Sequence, residues 1–405
     1  MDLFFFNPGC EIEVAADKAV YSLPKYPAML ERDLSVLPMC FARKGDCVLI
    51  SKTKDVDFLS FWRERFQCEF IGEEDRGLTA REFDFFRPWG ISPRILRVGE
   101  KYKFSSVYHN SPIGRWMPEH KLLFSRATSV DFFEKLVQQD GYDSKLFPIN
   151  DDLFPPQKQL FPSQKQYFPS KSELPCIAKT MDEAAVFLRA RSDGAVFKAI
   201  FGSSGRGVRI LKNSQMTPNL DNWLRSIIKT QGAVECEHLF DKIADFSMHY
   251  DIVDGMAKFV GVSTFATSET GAYIGSRVGR LDSVPGFDAE TARRLSDLHV
   301  KVLNDSIYAK KYCGPLGIDC MVYRQGDQTK INPCIEINCR YSMGRLSMQI
   351  AELVDAEADF YVFPKNAAPF KGCRKPEFSN GKLVGGFLPL TPSDTEMFSA
   401  GVLVI

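Results

Sequence analysis

The most informative stretch of this chain reads Gly194-Ala195-Val196-Phe197-Lys198-Ala199-Ile200-Phe201-Gly202-Ser203-Ser204-Gly205-Arg206-Gly207-Val208-Arg209-Ile210-Leu211. Two short apolar runs flank a glycine cluster, which predicts a strand, a flexible loop and a second strand. Three glycines in six residues let backbone N–H groups approach an anion without interference from Cβ atoms. Lys198 lies near the end of the first strand, where its ammonium group can reach the same anion. The pattern fits a phosphate-binding loop, but on this stretch alone an ordinary hairpin carrying a surface lysine is the commoner structure.

The loop differs from the better-known phosphate-binding motifs. A Walker loop ends in Gly-Lys-Ser/Thr and opens a helix, and a dinucleotide-binding fingerprint also opens a helix. The protein-kinase glycine loop lies between two strands, but its lysine follows on the next strand. Because Lys198 precedes the glycines, the phosphate-binding interpretation needs support from elsewhere in the chain.

The composition indicates an ordinary globular protein with more than one domain. A chain of 405 residues is long for a single core, so two or three domains are expected. Apolar residues make up 44% and charged residues 25%. Since 51 basic and 51 acidic residues balance and no long basic run stands out, nucleic acid and anionic membrane surfaces are disfavoured as main partners.

Cysteine usage and the lack of apolar segments bear on the compartment. The 11 cysteines are scattered singly, with no Cys-x-x-Cys pair and no Cys/His cluster at zinc spacing. The apolar run at the start of the sequence is too short for a secretory signal. No run approaches the roughly 18 apolar residues of a membrane helix. We therefore expect a protein of the reducing cytoplasm.

The N-terminal part predicts a small α/β domain with a parallel sheet. Residues 3–6 form a predicted strand, residues 27–37 a helix stopped by Pro38, and residues 47–50 a second strand. Strand, helix and strand in this order favour a parallel sheet. The glycines of this region do not form a dinucleotide fingerprint, so no nucleotide is assigned to it.

A repeat interrupts the chain after a predicted helix over residues 129–138. Leu-Phe-Pro or Tyr-Phe-Pro recurs every seven residues, at residues 146–148, 153–155, 160–162 and 167–169. The prolines exclude a coiled coil despite the period. We interpret the segment as an extended, polyproline-like insert.

The second half of the chain alternates predicted helices and strands. Helices are predicted over residues 180–190, with Thr180 as the cap, over 220–229 and over 289–304, and a strand over 256–263. Residues 314–323 and 331–340 predict a hairpin with its turn at Gln325-Gly326-Asp327.

Polar side chains converge on this hairpin. Side chains alternate along a strand, so Glu336 and Asn338 project to one face, together with Arg340. Asp319 lies in the partner strand. Unpaired carboxylates on a buried face are costly, and a hard cation such as Mg²⁺ removes that cost. The alternative is that Glu336 and Asp319 pair with Arg340 and another base on an exposed face.

Lys198 before the glycine loop, then Val234-Glu235, then Asp319 and finally Glu336-Ile337-Asn338 resemble the ATP-grasp superfamily in order and spacing, across about residues 120–365. The resemblance implies an α+β ATP-grasp fold, in which two α+β subdomains clamp ATP, preceded by a small α/β pre-ATP-grasp domain. Asn7-Pro8-Gly9, Leu34-Ser35-Val36-Leu37-Pro38 and Pro88-Trp89-Gly90 are also similar to an uncharacterised bacterial branch.

The resemblance also implies a division of the chain. Residues 1–120 would form the pre-ATP-grasp domain, 121–365 the ATP-grasp domain, and 366–405 a C-terminal extension. Within the ATP-grasp domain, the implied parts are the insert at 145–172, the phosphate-clamp subdomain with its hinge at 194–240, and the metal-binding subdomain at 241–365.

The resemblance assigns the nucleotide site residue by residue. Lys198 would bind the α/β-phosphates, under a mobile flap of Gly202, Ser203, Ser204, Gly205, Arg206 and Gly207. The hinge would read adenine through Glu235 or Glu237 and, mainly by backbone groups, Cys236 and Leu239. Asp245 matches the acid that binds the ribose hydroxyls, and Arg126 is the best match for a further basic residue ahead of the clamp.

The remaining assignments concern the metal and the reacting groups. Asp319, Glu336 and Asn338 match the ligands of Mg²⁺, with two ions expected and Mn²⁺ as a substitute. Arg340 matches the arginine that faces the reacting carboxylate in biotin-carboxylase-like members. Arg277 and Arg280 can hold the carboxylate or the transferred phosphoryl group, or can belong to a solvated basic loop.

The implied chemistry is ATP-dependent ligation. A carboxylate attacks the γ-phosphate to give an acyl phosphate and ADP, and an amine then displaces phosphate. The expected partners are a small-molecule carboxylate and an amine, with amino acids and peptides among the candidates, and a homodimer is one option for assembly. The alternatives are a phosphotransferase on the same fold and a non-catalytic nucleotide-binding protein. The five histidines are dispersed and form no triad, which disfavours a hydrolase.

Overall fold

The computed structural model describes residues 1–72, 74–75, 77–139, 168–202, 207–267, 273–278, 287–365 and 372–404. The chain divides into two units. The first unit comprises Met1–Pro118, Ile274–Arg280 and Arg340–Ile405, and the second comprises Glu119–Tyr273 and Leu281–Cys339. The division into a pre-ATP-grasp domain, an ATP-grasp domain and a C-terminal extension stays a prediction.

Helices and strands alternate along most of the described chain. The helices are α1 (Cys10–Ala16), α2 (Lys25–Asp33), α3 (Val56–Phe66), α4 (Pro93–Gly99), α5 (Ser106–Asn110), α6 (His120–Leu123), α7 (Arg126–Val137), α8 (Met181–Arg189), α9 (Pro218–Gln231), α10 (Ala289–Asp305), α11 (Ile307–Lys311) and α12 (Met343–Ala351). The strands are β1 (Leu3–Phe5), β2 (Cys47–Ile50), β3 (Glu69–Gly72), β4 (Glu82–Phe83), β5 (Phe86–Pro88), β6 (Lys103–Phe104), β7 (Cys176–Ala178), β8 (Ala195–Ala199), β9 (Val208–Leu211), β10 (Val234–His238), β11 (Asp241–Val253), β12 (Met256–Thr267), β13 (Tyr273–Val278), β14 (Gly314–Gln325), β15 (Gln328–Asn338), β16 (Ala358–Pro364), β17 (Glu377–Ser379), β18 (Lys382–Gly385), β19 (Phe387–Pro389) and β20 (Phe398–Val404).

A parallel sheet forms the centre of the first unit. Its strand order is β3-β2-β1-β5, and every neighbouring pair is parallel. Leu3, Val48 and Phe86 are fully buried, because strands of a parallel sheet are covered on both faces. The parallel α/β arrangement predicted for the N-terminal residues is confirmed.

Helix α2 is shorter than the sequence predicts. It ends at Asp33, and the chain continues through a 3₁₀ turn at Leu37–Cys40 that contains Pro38. The apolar residues of the segment Leu34–Leu37 are almost completely buried. A single face of an α-helix cannot bury so many consecutive apolar side chains, so the chain leaves the helix before the proline. The prediction of one helix over 27–37 was wrong at its C-terminal end.

A four-stranded antiparallel sheet carries the glycine loop in the second unit. Its order is β7-β10-β8-β9. Ala184 and Leu188 of α8 and Leu224 of α9 pack into its apolar core. Thr180 caps α8 as predicted, since its side chain accepts a hydrogen bond from the Glu183 N–H. The predicted strand–loop–strand is confirmed by the pairing of β8 with β9.

A second antiparallel sheet of the same unit contains the predicted polar hairpin. Its strands follow the order β15-β14-β11-β12. Gly326 in the turn between β14 and β15 has φ +60°, a conformation that favours glycine. Helix α7 packs against β15 and helix α10 against β12. The hairpin and the helix over 289–304 are therefore confirmed.

The buried His299 on α10 has a structural role. The Tyr250 hydroxyl donates to Nδ1 at 2.7 Å, and Nε2 donates to the Pro333 carbonyl at 2.9 Å. Burial lowers the pKa of His299 to about 3, so the imidazole is neutral at physiological pH.

The C-terminal residues complete the first unit. Strands β13-β16-β20-β19 pair antiparallel in this order. The Asp33 carboxylate accepts hydrogen bonds from the backbone N–H groups of Met397 and Phe398 at 2.7 and 2.9 Å, just where β20 begins. Burial alone would raise the pKa of Asp33, but these backbone donors lower it below its ordinary value. Among the described residues, no helix is long and apolar enough to cross a membrane.

We expect Asp33→Asn to reduce the free energy of unfolding by about 1–3 kcal/mol at pH 7, because charge-assisted hydrogen bonds are lost. The folded-state pKa of Asp33 is depressed, so its contribution is present above the unfolded pKa of about 3.9 and is lost as the pH falls through the folded pKa. Urea denaturation at pH 7 and near pH 3 should show a difference that shrinks at the lower pH. The exposed Asp355→Asn is the control within the same unit, and an equal effect of both variants would contradict the prediction.

Candidate active site

Lys198 is a buried cation held by an acid of the neighbouring strand. It lies on β8, and its Nζ is 2.5 Å from Oε1 of Glu237 on β10. Burial alone would lower the pKa of Lys198, but the carboxylates of Glu237 and Glu235 outweigh it and the pKa is raised. The lysine is therefore charged, and it lies on the strand that leads into the glycine loop.

Two ends of the glycine loop are described. Gly202 follows β8, and Gly207 precedes β9 with φ +79°. A Cβ atom on Gly207 would lie 3.0 Å from Cβ of Ala199, so a larger residue would be both strained and crowded there. The predicted flap residues between these glycines, namely Ser203, Ser204, Gly205 and Arg206, lie outside the described residues, as do Arg280 and residues 145–167 of the insert.

The predicted hinge corresponds to β10, whose side chains alternate between two environments. Val234 and Cys236 belong to the apolar core under α8 and α9. Glu235 and Glu237 project to the opposite face, and Glu235 is the direct register partner of Lys198. Leu239 follows the strand and lies close to Gly194. A Cβ atom on Gly194 would lie 2.8 Å from Cδ2 of Leu239.

Glu235 is the most deeply buried acid of this face. Its side chain is only 1% exposed, and its Oε2 atom has no hydrogen-bond partner within the described part of the chain. Burial, reinforced by the charge of Glu237, raises the pKa of Glu235 well above its ordinary value. A buried carboxyl oxygen without a hydrogen bond is costly, and the nearest cation to this atom is Nε of Arg126 at 3.8 Å.

Arg126 contacts both the sheet β7-β10-β8-β9, here called the clamp sheet, and the polar hairpin β14–β15 inside the second unit. Its guanidinium donates to the Ala199 carbonyl at 2.6 Å and lies 2.9 Å from Oε1 of Glu336. Its Nε is 3.8 Å from Glu235. Burial alone would lower the pKa of Arg126, but Glu336 and Glu235 raise it. The sequence singled out Arg126 only weakly, and the structure brings it into contact with a predicted metal ligand.

The three predicted metal ligands are brought together on β14 and β15. Asp319 is the direct register partner of Glu336, and Asn338 donates from Nδ2 to Oδ2 of Asp319 at 3.0 Å. The Ser247 hydroxyl donates to the other carboxylate oxygen of Asp319. The oxygen atoms of Asp319, Glu336 and the Asn338 amide are the type of donor that Mg²⁺ prefers, so the residues present fit this ion. In the described ranges, no group of three or more His, Cys, Asp or Glu residues is arranged to hold a metal.

Asp245 lies on β11, two residues before Ser247, and so on the same face of the sheet as Ser247. Its Oδ2 atom accepts from Lys242 Nζ at 2.6 Å and from the Thr267 hydroxyl at 2.8 Å. These contacts fix the carboxylate, and its predicted role toward a ribose stays a prediction.

The predicted reaction-centre arginines that are described lie in the first unit. Arg340 donates from Nε to the buried carboxylate of Glu11, which also accepts from the Cys10 thiol at 3.3 Å. Arg277 on β13 lies 3.3 Å from Asp359 of β16, and its side chain is partly exposed. Arg340 therefore pairs with Glu11, and Glu336 pairs with Arg126. The alternative drawn from the sequence, in which Glu336 pairs with Arg340, was wrong.

The N-terminal motifs hold the backbone around Arg340. The side-chain amide of Asn7 donates to the Gly90 carbonyl at 2.7 Å and accepts from its N–H at 3.2 Å. Gly90 forms a β-bridge with Arg340. A Cβ atom on Gly90 would lie 2.5 Å from the sulfur of Cys10 and 3.1 Å from Cβ of Arg340. This close approach explains why the motif at residues 88–90 ends in glycine.

Sequence reasoning missed two residues that contact predicted site residues. Glu11 lies in the first turn of α1, directly after the motif Asn7-Pro8-Gly9 that follows β1, and a position beyond the carboxyl end of a parallel strand was an available signal. Ser247 carried no signal, because only the register of β11 with β14 places it opposite Asp319.

No protein-family model and no curated protein matches the sequence. Several solved structures have a similar fold. One is a biotin carboxylase from Campylobacter jejuni, determined as a β,γ-ATP complex, with a TM-score of 0.51 and 13% sequence identity. The match covers 100% of this chain and 87% of the biotin carboxylase chain. A phosphoribosylamine–glycine ligase from Thermotoga maritima has a TM-score of 0.51 and 11% identity over 99% of this chain and 92% of its own. Both are ATP-grasp enzymes, and the chain therefore has the ATP-grasp fold that its motifs predicted.

We expect Arg126→Met to lower the free energy of unfolding by about 3–5 kcal/mol, because it removes the buried counter-charge of Glu336. Urea denaturation followed by far-UV circular dichroism measures the change. Arg225→Met is the control, since that arginine is 62% exposed and its pairing with Asp221 on the same helix should contribute less than about 1 kcal/mol. A loss for Arg126→Met as small as that of the control would contradict the prediction.

We expect Gly90→Ala to destabilise the protein by about 1–3 kcal/mol, because the new methyl group overlaps the Cys10 sulfur and crowds Arg340. Thermal or urea denaturation measures the loss. Gly72→Ala on the first unit's β3 is the matched control, since a Cβ atom there meets nothing within 4 Å. Equal stability of the two variants would show that the backbone moves apart without cost.

Proposed function

We propose that this protein is an ATP- and Mg²⁺-dependent ligase that activates a carboxylate as an acyl phosphate and joins it to an amine, releasing ADP. The observation that carries the proposal is one buried group of charges on an ATP-grasp fold: the Lys198–Glu237 pair and the contact of Arg126 with Glu336. The similar fold of an ATP-bound biotin carboxylase and of a ligase adds support.

In this proposal the clamp sheet binds the nucleotide. Lys198 exchanges its contact with Glu237 for the α- and β-phosphates, and the backbone N–H groups of residues 202–207 cover them. We assign the adenine amino group to Glu237, because its side chain is 13% exposed whereas that of Glu235 is 1% exposed and faces Arg126. The backbone of Cys236 and Leu239 completes the adenine contacts, and Asp245 takes the ribose hydroxyls.

The acids of the polar hairpin serve the metal. Asp319, Glu336 and Asn338 would hold Mg²⁺. The family pattern implies two ions, and Mn²⁺ could replace them. The metal would neutralise charge on the phosphate oxygens. Arg126 holds the Glu336 carboxylate on one side, and Ser247 and Asn338 hold that of Asp319. These contacts keep both acids in place without a metal.

The two chemical steps follow from this arrangement. A carboxylate oxygen of the substrate attacks the γ-phosphorus and ADP leaves; the amine nitrogen then attacks the acyl carbon, phosphate leaves and the amine loses a proton. Lys198 and Arg126 contribute fixed positive charge, which stabilises the developing negative charge in the first step. A closed glycine flap would exclude water and so protect the acyl phosphate from hydrolysis.

The arginines of the first unit bind the acid substrate in this proposal. Glu11 and the Tyr341 carbonyl hold the guanidinium of Arg340 in place, and a guanidinium in a fixed position can pair with a carboxylate. Arg277 and Arg280 are proposed as further contacts to the carboxylate or the phosphoryl group. The substrates are small molecules, with an amino acid or a peptide among the acids and amines to test.

ATP turnover with trapping of the intermediate tests the function. The purified protein is incubated with ATP, Mg²⁺ and a desalted small-molecule extract, with and without hydroxylamine, while ADP, AMP and phosphate are measured. We expect ADP together with a hydroxamate, and a decrease of about 100-fold or more for Glu336→Gln, because a proposed carboxylate ligand of Mg²⁺ is lost. Glu377→Gln, an exposed glutamate on β17, should retain full activity.

Three results would contradict the ligase. ADP without hydroxamate but with a new phosphate ester identifies a phosphotransferase on the same fold. AMP as the product excludes the acyl phosphate mechanism. ATP binding without turnover in any extract identifies a nucleotide-binding protein that is not catalytic.

A further inference from the structure

Two cysteines face each other across neighbouring strands of the clamp sheet. Strands β7 and β10 pair antiparallel, and their register places Cys176 directly opposite Cys236. The pairing begins at Val234 and Ala178, which belong to the apolar core. Since side chains of register partners project from the same face of a sheet, the two thiols lie on the face that α8 and α9 cover.

The backbone geometry of this pair suits a disulfide. Directly opposite residues of antiparallel strands have Cα atoms about 4.5–5.5 Å apart, and disulfides join Cα atoms about 4.4–6.8 Å apart. The neighbouring Cys236 thiol, assisted by the charge of Arg191, lowers the pKa of Cys176. Cys176 is thus the more reactive of the two.

The two cysteines differ in access. Cys176 is exposed on the edge strand, whereas Cys236 is completely buried. A small oxidant therefore reaches Cys176 first, and Cys236 lies ready to resolve the product. Among the free cysteines of the described chain, Cys373 is the other exposed one, and no described strand pairs it with a second cysteine.

We propose that Cys176 and Cys236 form a reversible disulfide when the protein meets hydrogen peroxide. The Cys176 thiolate attacks one peroxide oxygen, the O–O bond breaks, and the leaving hydroxide takes up a proton to give water and a sulfenic acid. Cys236 sulfur, losing its proton, then attacks the sulfur of Cys176, and the S–O bond breaks with release of a second water. Two thiols are oxidised by one electron each, and peroxide is reduced by two electrons.

The proposed disulfide uses the side chain of Cys236, whereas the proposed adenine contact of this residue uses its backbone. Cys236 stands between Glu235 and Glu237, but those acids project to the opposite face of β10. The disulfide would fasten the edge strand β7 to the strand that carries both acids, while leaving the side chains around Lys198 chemically unchanged.

Peptide mapping of the full-length protein tests the proposal. The protein is treated with hydrogen peroxide, its remaining thiols are alkylated under native conditions and again after unfolding, and it is digested with trypsin. Cleavage after lysine gives peptides 172–179 and 230–242, each with a single cysteine. We expect these two peptides linked, with a mass two hydrogen atoms below their sum, and separated again by dithiothreitol.

Two variants make the result specific. Cys176→Ser should abolish the linked peptide, and Cys373→Ser should retain it. Both replace exposed thiols, so their thermal midpoints should match that of the parent protein. Recovery of Cys176 as a sulfinic acid, or in a disulfide with another cysteine or with a second copy of the chain, would overturn the proposal. So would alkylation of both cysteines after peroxide treatment.

Discussion

The burial of charge in the second unit is the constraint on which the candidate site depends. Lys198, Arg126 and Glu235 lie almost completely inside the protein. Each would be costly alone, because the interior solvates an ion poorly. The strands are therefore arranged so that each charge faces an opposite one: Glu237 meets Lys198, and Glu336 meets Arg126. These pairings keep the charged side chains in place inside the sheet.

The parts of the fold that could be predicted from the sequence are those that depend on neighbouring residues. The clamp hairpin follows from two apolar runs around a glycine loop. The cap at Thr180 follows from a serine- or threonine-type residue three positions before a glutamate. The hairpin that carries Asp319 and Glu336 follows from period-two patterning and the turn at Gly326. Each signal is contained in fewer than about thirty residues, so the chain itself displays it.

The parts that could not be predicted depend on distant pairing. Arg126 and Glu336 are 210 residues apart, and Glu11 and Arg340 are 329 residues apart. Nothing local marks which acid a buried arginine will meet. The end of α2 was misplaced for a related reason: Leu34 and its apolar neighbours are buried by tertiary packing, which overrides the helical period. Ser247 is a third example, since strand register alone brings it to Asp319.

The division of the chain between the two units has a consequence for biosynthesis. The first unit combines residues 1–118 with the distant segments 274–280 and 340–405. Asp33 receives its backbone donors from residues 397 and 398, and Glu11 receives Arg340. During translation the N-terminal sheet emerges first, yet it must wait for these partners while the whole second unit is synthesised. The second unit can thus complete its folding before the first, and the nascent N-terminal segment is the part of the chain most in need of protection from aggregation.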